Sequence, residues 1–189
     1  MQKKHLRARR VFRMSAKICS FEQEHGVSVP RDKFVDEAIE TAIKAEQEDG
    51  MVYADAAAKA SNYRVKDLLA WLAGEEERHA AALSALKNCL KNAGRWVEGG
   101  QEIRGRPPLP NLPRDEKQRV SKDELRILIS AMKAEKKSID YYSKLAKKAR
   151  QEAAKTFFKK LAEYEEEHYD ELDSLFEELS KIEPSTQTV

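Results

Sequence analysis

Glu46 is followed by Tyr53 seven positions on, by Glu76 thirty positions on, and by His79 three further still. Glu135, Tyr142, Glu165 and His168 repeat the pattern, each 89 residues after its counterpart. The surrounding residues agree as well. Ala42-Ile43-Lys44-Ala45-Glu46 matches Ala131-Met132-Lys133-Ala134-Glu135, and Glu76-Glu77-Arg78-His79 matches Glu165-Glu166-Glu167-His168. The chain has only four histidines, and two of them fall at corresponding places in the copies, which a solvated helical face would not demand. Carboxylate oxygens and imidazole nitrogens together are ligands for a transition metal. The repeat therefore reads as a metal site assembled from two halves.

Helices must carry these groups. Val35, Ile39, Ala42, Glu46, Gly50, Tyr53 and Ala57 recur at steps of three and four, the signature of an amphipathic helix beginning near Pro30. Ser61-Asn62 offers a break and a cap for a second helix, whose inward stripe is Leu68 or Leu69, Leu72, Glu76, His79, Leu83 and Leu86. Residues 93–120 scatter eight Gly and Pro residues among charges, from Gly94 to Pro113, so a long crossover is expected there. Ser121 with Glu124 forms a capping-box signature. A third helix follows with Leu125, Leu128, Met132, Glu135, Ile139, Tyr142 and Leu145 on one face, and a fourth with Phe158, Leu161, Glu165, His168, Leu172, Leu175 and Leu179. The organisation expected is a basic, flexible extension over 1–29, a helical domain over 30–183 with hairpins at about 31–92 and 121–182, and a tail over 184–189.

Hairpin geometry brings the carboxylates to one height. Residue 61 lies midway between Glu46 and Glu76, so each sits about 20 Å from the turn at the helical rise. Residue 150 lies midway between Glu135 and Glu165, in the weakly patterned Ala149-Arg150-Gln151 stretch. Glu76 with His79, and Glu165 with His168, are neighbours on a helical face. Packing the two hairpins together converges four carboxylates and two imidazoles.

An unpaired carboxylate in a core costs several kcal/mol, and four together also repel. No Lys or Arg shares these stripes. Two divalent cations would balance the four carboxylates, with His79 and His168 completing the coordination. Mixed oxygen and nitrogen ligands suit iron, with manganese as the alternative, and the lack of thiolates argues against a structural zinc site. Glu48, Glu75, Glu77, Glu163, Glu166 and Glu167 lie off the stripes and read as solvated charge. Gly50 leaves space one turn after Glu46, for an oxidant or for close helix packing. Cys89 reads as a small buried residue, and His5 and His25 have no partner in spacing.

Composition bounds the class. A chain of 189 residues with 36% charged residues and little Gly or Pro outside one segment fits a single all-α domain. A net charge of +2 makes no global case for nucleic acid, and no apolar run is long enough to span a bilayer. With only Cys19 and Cys89 there is no disulfide framework, so a cytoplasmic location is expected. Residues 1–20 carry seven basic residues and no acidic one. Besides a flexible extension, a transit peptide, a nucleic-acid arm and an anionic-membrane contact are the alternatives for them.

Taken together, the Glu helix and the Glu-x-x-His helix, each present twice over 31–93 and 121–182, resemble the ferritin-like di-iron carboxylate proteins, and among them the rubrerythrin-like group. The resemblance implies an antiparallel four-helix bundle of two hairpins joined by a long crossover. It implies that Glu76 and Glu165 bridge two irons, that Glu46 and Glu135 are terminal ligands, that His79 and His168 give one nitrogen each, and that Tyr53 and Tyr142 hydrogen-bond near the ligands. Through the metals these six ligands would be the catalytic set. The chain departs from rubrerythrins in having no Cys-x-x-Cys pair, so no rubredoxin module, and in placing Ser138 where they have an extra carboxylate. The function expected is an oxidoreductase that oxidises ferrous iron and reduces O2 or hydrogen peroxide, with a separate electron donor and a homo-oligomeric assembly, dimer or larger. A non-catalytic iron-storage protein and a metal-stapled helical interaction module are the alternatives.

Overall fold

The computed structural model describes residues 33–93, 108–113 and 119–181. The expectations for the basic leader, for Pro30 as a helix start, for most of the crossover and for the tail lie outside the described residues. Four helices make up the fold: α1 Lys33–Lys59, α2 Tyr63–Ala93, α3 Lys122–Lys148 and α4 Glu152–Ser180. There is no strand among the described residues. The architecture is the all-α bundle of two hairpins, with the helices of each hairpin packed along their length and the hairpins meeting along α1–α3 and α2–α4.

Local chemistry sets the boundaries. Asn62 caps α2, its Oδ1 accepting from the backbone N–H groups of Arg64 and Val65 at 3.0 and 3.3 Å. Ser121 and Glu124 form the expected capping box on α3, and Lys147 and Lys148 occupy its last turn, where the negative end of the helix dipole favours cations. Glu124 does more than cap. Its Oε2 accepts from the Ser121 N–H at 2.8 Å, while its Oε1 accepts from the Ser61 and Asn62 N–H groups at 2.8 and 2.7 Å, so one carboxylate ties the first hairpin's turn to the start of the second hairpin. Burial opposes its ionisation, but these backbone donors outweigh burial and lower its pKa below the ordinary value.

Two apolar layers flank one polar layer. At one end, Val35, Ile39 and Ala42 of α1 meet Leu83 and Leu86 of α2, Leu145 of α3, and Phe157, Phe158 and Leu161 of α4. At the other, Ala57 meets Val65, Leu68, Leu69 and Leu72, then Leu128, Leu172 and Leu175. The six repeated Glu and His residues fall between the layers on every helix. The order of the layers shows the directions: α1 and α4 run one way, α2 and α3 the other. The chain must therefore travel the length of the bundle between α2 and α3, which is what the long crossover is for. At its return, Leu112 packs on the second layer and Tyr63 donates to the Pro113 carbonyl. Cys89 is buried in the first layer, as expected. No helix among the described residues is long and apolar enough to cross a membrane.

Candidate metal centre

The helices deliver the six groups to one place. Glu46 comes from α1, Glu135 from α3, Glu76 and His79 from α2, and Glu165 and His168 from α4, each 3% exposed or less. His79 Nδ1 lies 3.5 Å from Glu46 Oε2, 3.4 Å from Glu76 Oε2 and 3.0 Å from Glu165 Oε1. His168 Nδ1 lies 3.2 Å from Glu76 Oε1, 3.6 Å from Glu135 Oε2 and 3.3 Å from Glu165 Oε2. Two sets of four result, Glu46, Glu76, His79 and Glu165 in one and Glu76, Glu135, Glu165 and His168 in the other. Within each set the donor atoms lie within 4.8 Å of one another. Glu76 and Glu165 belong to both.

These separations fit a shared ion pair. With metal–ligand bonds of about 2.0–2.2 Å, adjacent donors in a tetrahedral or octahedral shell stand about 2.8–3.6 Å apart. Hydrogen-bond geometry satisfies neither imidazole Nδ1, nor Glu76 Oε1, nor Glu165 Oε1, although all are buried. Buried polar atoms ordinarily find partners, so a bound ion is the natural occupant. The donors are oxygen and nitrogen with no thiolate, which agrees with a first-row metal such as iron or manganese.

Protons balance the ligands of the protein alone. Burial opposes protonation of His79, yet Glu165, Glu46 and Glu76 around it outweigh burial and hold its pKa well above the ordinary value. His168 is raised in the same way, against burial, by Glu135, Glu165 and Glu76. Burial and the charges of Glu165 and Glu46 push Glu76 well up. Burial likewise lifts Glu135 to about 8, although His168 pulls the other way. Glu165 lies between both imidazoles, which overcome burial and lower its pKa. A cluster that shares protons against its own repulsion exchanges them for metal charge when an ion binds.

The tyrosines cross between copies. Tyr53 Oη donates to Glu135 Oε1 at 2.6 Å, and Tyr142 Oη donates to Glu46 Oε1. Each tyrosine thus steadies the carboxylate of the other repeat. Burial, then the adjacent Glu charges, raise both phenols, so they keep their protons and remain donors. Gly50 serves close packing of α1 on α2: a Cβ there would meet the Cβ of Glu76 at 3.3 Å and the Ala73 carbonyl at 3.5 Å.

Glu75 corrects the sequence reading. It is 1% exposed rather than solvated, pairs with Arg78, and approaches His168 with Oε2 3.8 Å from Nε2, the nitrogen that faces away from the cluster. A signal was present, since Leu68, Leu72, Glu75, His79, Ala82 and Leu86 also step by fours and threes. α2 buries two overlapping stripes, not one. Glu48, Glu77, Glu166 and Glu167 are exposed and Glu163 is half-buried against Lys160 at 3.0 Å, as surface charges should be. The two imidazoles stack with centroids 5.3 Å apart, closed in by Trp71 edge-on to His168 at 5.6 Å and by Tyr164 at 5.8 Å from His79. Asp49, which no sequence pattern singles out, is half-buried one turn after Glu46. Its pKa is raised to about 6 by burial and then by the charges of Glu46 and Glu165.

Among solved structures, a hypothetical protein from Pyrococcus furiosus is similar at 31% identity with a TM-score of 0.59, over 78% of this chain and 90% of that one. No curated protein matches. The family model described as rubrerythrin matches residues 37–176, a span that contains all four helices' ligand positions. With the bundle, the crossed tyrosines and the two sets joined by Glu76 and Glu165, this match means that the chain belongs to the rubrerythrin family.

Proposed function

We propose that this protein is a di-iron oxidoreductase that oxidises ferrous iron and reduces O2 or hydrogen peroxide, in iron handling or oxidative-stress defence. The observation that carries the reading is the sharing of Glu76 and Glu165 between two sets of donors. One ion would be held by Glu46, Glu76, His79 and Glu165, the other by Glu76, Glu135, Glu165 and His168. Two irons, when bound, supply two electrons at one place, one from each, which is the number that reduction of peroxide to water consumes. The chain's own residues hold the ions close together, keep water away through the apolar layers on both sides, and keep the terminal carboxylates oriented through Tyr53 and Tyr142. Electrons for further turnover would come from a separate donor, and the assembly would be a homo-oligomer working in the cytoplasm.

Stopped-flow mixing of anaerobically loaded ferrous protein with O2 and with hydrogen peroxide tests this reading. Oxidation at least about tenfold faster than that of free ferrous iron is expected, falling to the free rate in Glu135→Ala and His168→Ala. Equal rates with and without the protein would remove the enzymatic reading and leave storage or a structural metal, which native mass would then separate.

A further inference from the structure

The repeat has a local two-fold relation, and one seam of the bundle lies on it. Ala45 and Ala134 correspond across the 89-residue offset, as do Asp49 and Ser138. All four line one cavity of about 290 Å³ between α1 and α3, together with Lys137 and Tyr142. A second cavity of about 380 Å³ lies along the same seam and shares Asp49 and Ala134 with the first, with Tyr53 in its wall. The two cavities therefore reach the two tyrosines that hold Glu46 and Glu135. The α2–α4 seam is different: there the stacked imidazoles, Trp71 and Tyr164 close over the cluster.

Small residues and one charge distinguish the α1–α3 seam. Asp49 is the one carboxylate among the described residues lining the smaller cavity, and its symmetry mate is an uncharged serine. Packing does not call for a carboxylate there. Asp49 is partly desolvated and stands in the repulsive field of Glu46 and Glu165, with Lys137 as its opposing cation. A half-buried acid that lines both cavities and is held against the charges of Glu46 and Glu165 has the electrostatics of a cation-attracting step, where negative potential focuses between low-dielectric walls.

We propose that divalent metal reaches the centre through the α1–α3 seam, with Asp49 as the transient ligand that takes the ion from water before it passes inward to Glu46 and Glu135. The inference rests on the reading of the cluster as a metal centre. Ala45 and Ala134 keep the passage open, and Lys137 limits how strongly Asp49 retains the ion. Asp49 acts on the rate of uptake and not on the final coordination, because it belongs to neither set of four donors.

Cobalt(II) loading of the metal-free full-length chain, followed by stopped-flow absorption of the bound ion and by metal analysis at equilibrium, is the test. Asp49→Asn should slow uptake about tenfold or more while the final spectrum and two ions per chain are retained. Ala134→Leu, which narrows both cavities and leaves the charge in place, should also slow it, and Lys137→Gln should speed it. Uptake by Asp49→Asn at the wild-type rate would overturn the proposal, as would loss of an ion or a changed final spectrum, since Asp49 would then be a permanent ligand. Failure of the wild-type chain to take up cobalt would instead overturn the metal-centre reading beneath it.

Discussion

At the residue scale, the cluster is oriented by side chains outside its six members. An imidazole that ligates a metal is oriented by what its other nitrogen meets, and His168 Nε2 faces Glu75 Oε2 at 3.8 Å, beyond hydrogen-bond reach. The repeat is not symmetric here: the position of Glu75 is taken in the second copy by Tyr164, which lies against His79. Glu75→Gln should therefore weaken one of the two metal sites and spare the other, with about a tenfold loss of affinity for that ion in a chelator competition. Glu77→Gln, next door but exposed, should leave both affinities unchanged.

At the element scale, Glu124 and Gly50 set how helices meet. Glu124 joins the α1–α2 turn to the α3 start through charged hydrogen bonds, so Glu124→Ala should cost about 2–3 kcal/mol in urea unfolding. Its folded pKa is lowered from the ordinary 4.5, so the stabilisation is complete above that value and is lost as pH falls through the folded pKa. The stability gap between wild type and Glu124→Gln, measured on metal-free protein, should accordingly shrink below pH 4.5. For Gly50→Ala, helix propensity alone would add about 1 kcal/mol. The 3.3 Å approach to the Glu76 Cβ should cancel that gain and shift Glu76, so melting should show no stabilisation while metal affinity falls.

At the scale of the whole molecule, two apolar layers compensate a polar one. Burying Leu68, Leu69, Leu72, Leu83, Leu86, Leu128, Leu161 and Leu172 contributes about 1.5–3 kcal/mol each, against the repulsion and desolvation of six polar side chains. Ions that bind only the folded site add stability by mass action, about 2.7 kcal/mol at a hundredfold excess over the dissociation constant. Metal loading should raise the melting temperature and saturate at two ions per chain by metal analysis. Removing one carboxylate relieves repulsion when no ion is there to use it. Glu46→Gln should thus cost little in the metal-free protein and lose most of the metal-induced shift, whereas Glu48→Gln should match wild type in both forms.

The helices, the common height of the carboxylates and the six residues that cluster are legible in the amino-acid order, because helical periodicity and hairpin length are local properties. Apolar steps of three and four fix which side of a helix is buried, and equal distances from a turn fix which residues lie level. What periodicity leaves open is the angular width of the buried face and the pairing between hairpins. Glu75 is buried although it lies off the first stripe, because contact with both α1 and α4 buries two stripes on α2. Asp49 carries no local signal, because its surroundings are set in a seam between α1 and α3, helices far apart in the chain. The tyrosines could be placed on inward faces from spacing alone, but that each holds the carboxylate of the other copy was decided only when the hairpins packed. Tertiary structure alone brings Glu76 and Glu165 into both sets of donors, since sharing needs the two hairpins at a definite separation, and no local pattern encodes that distance.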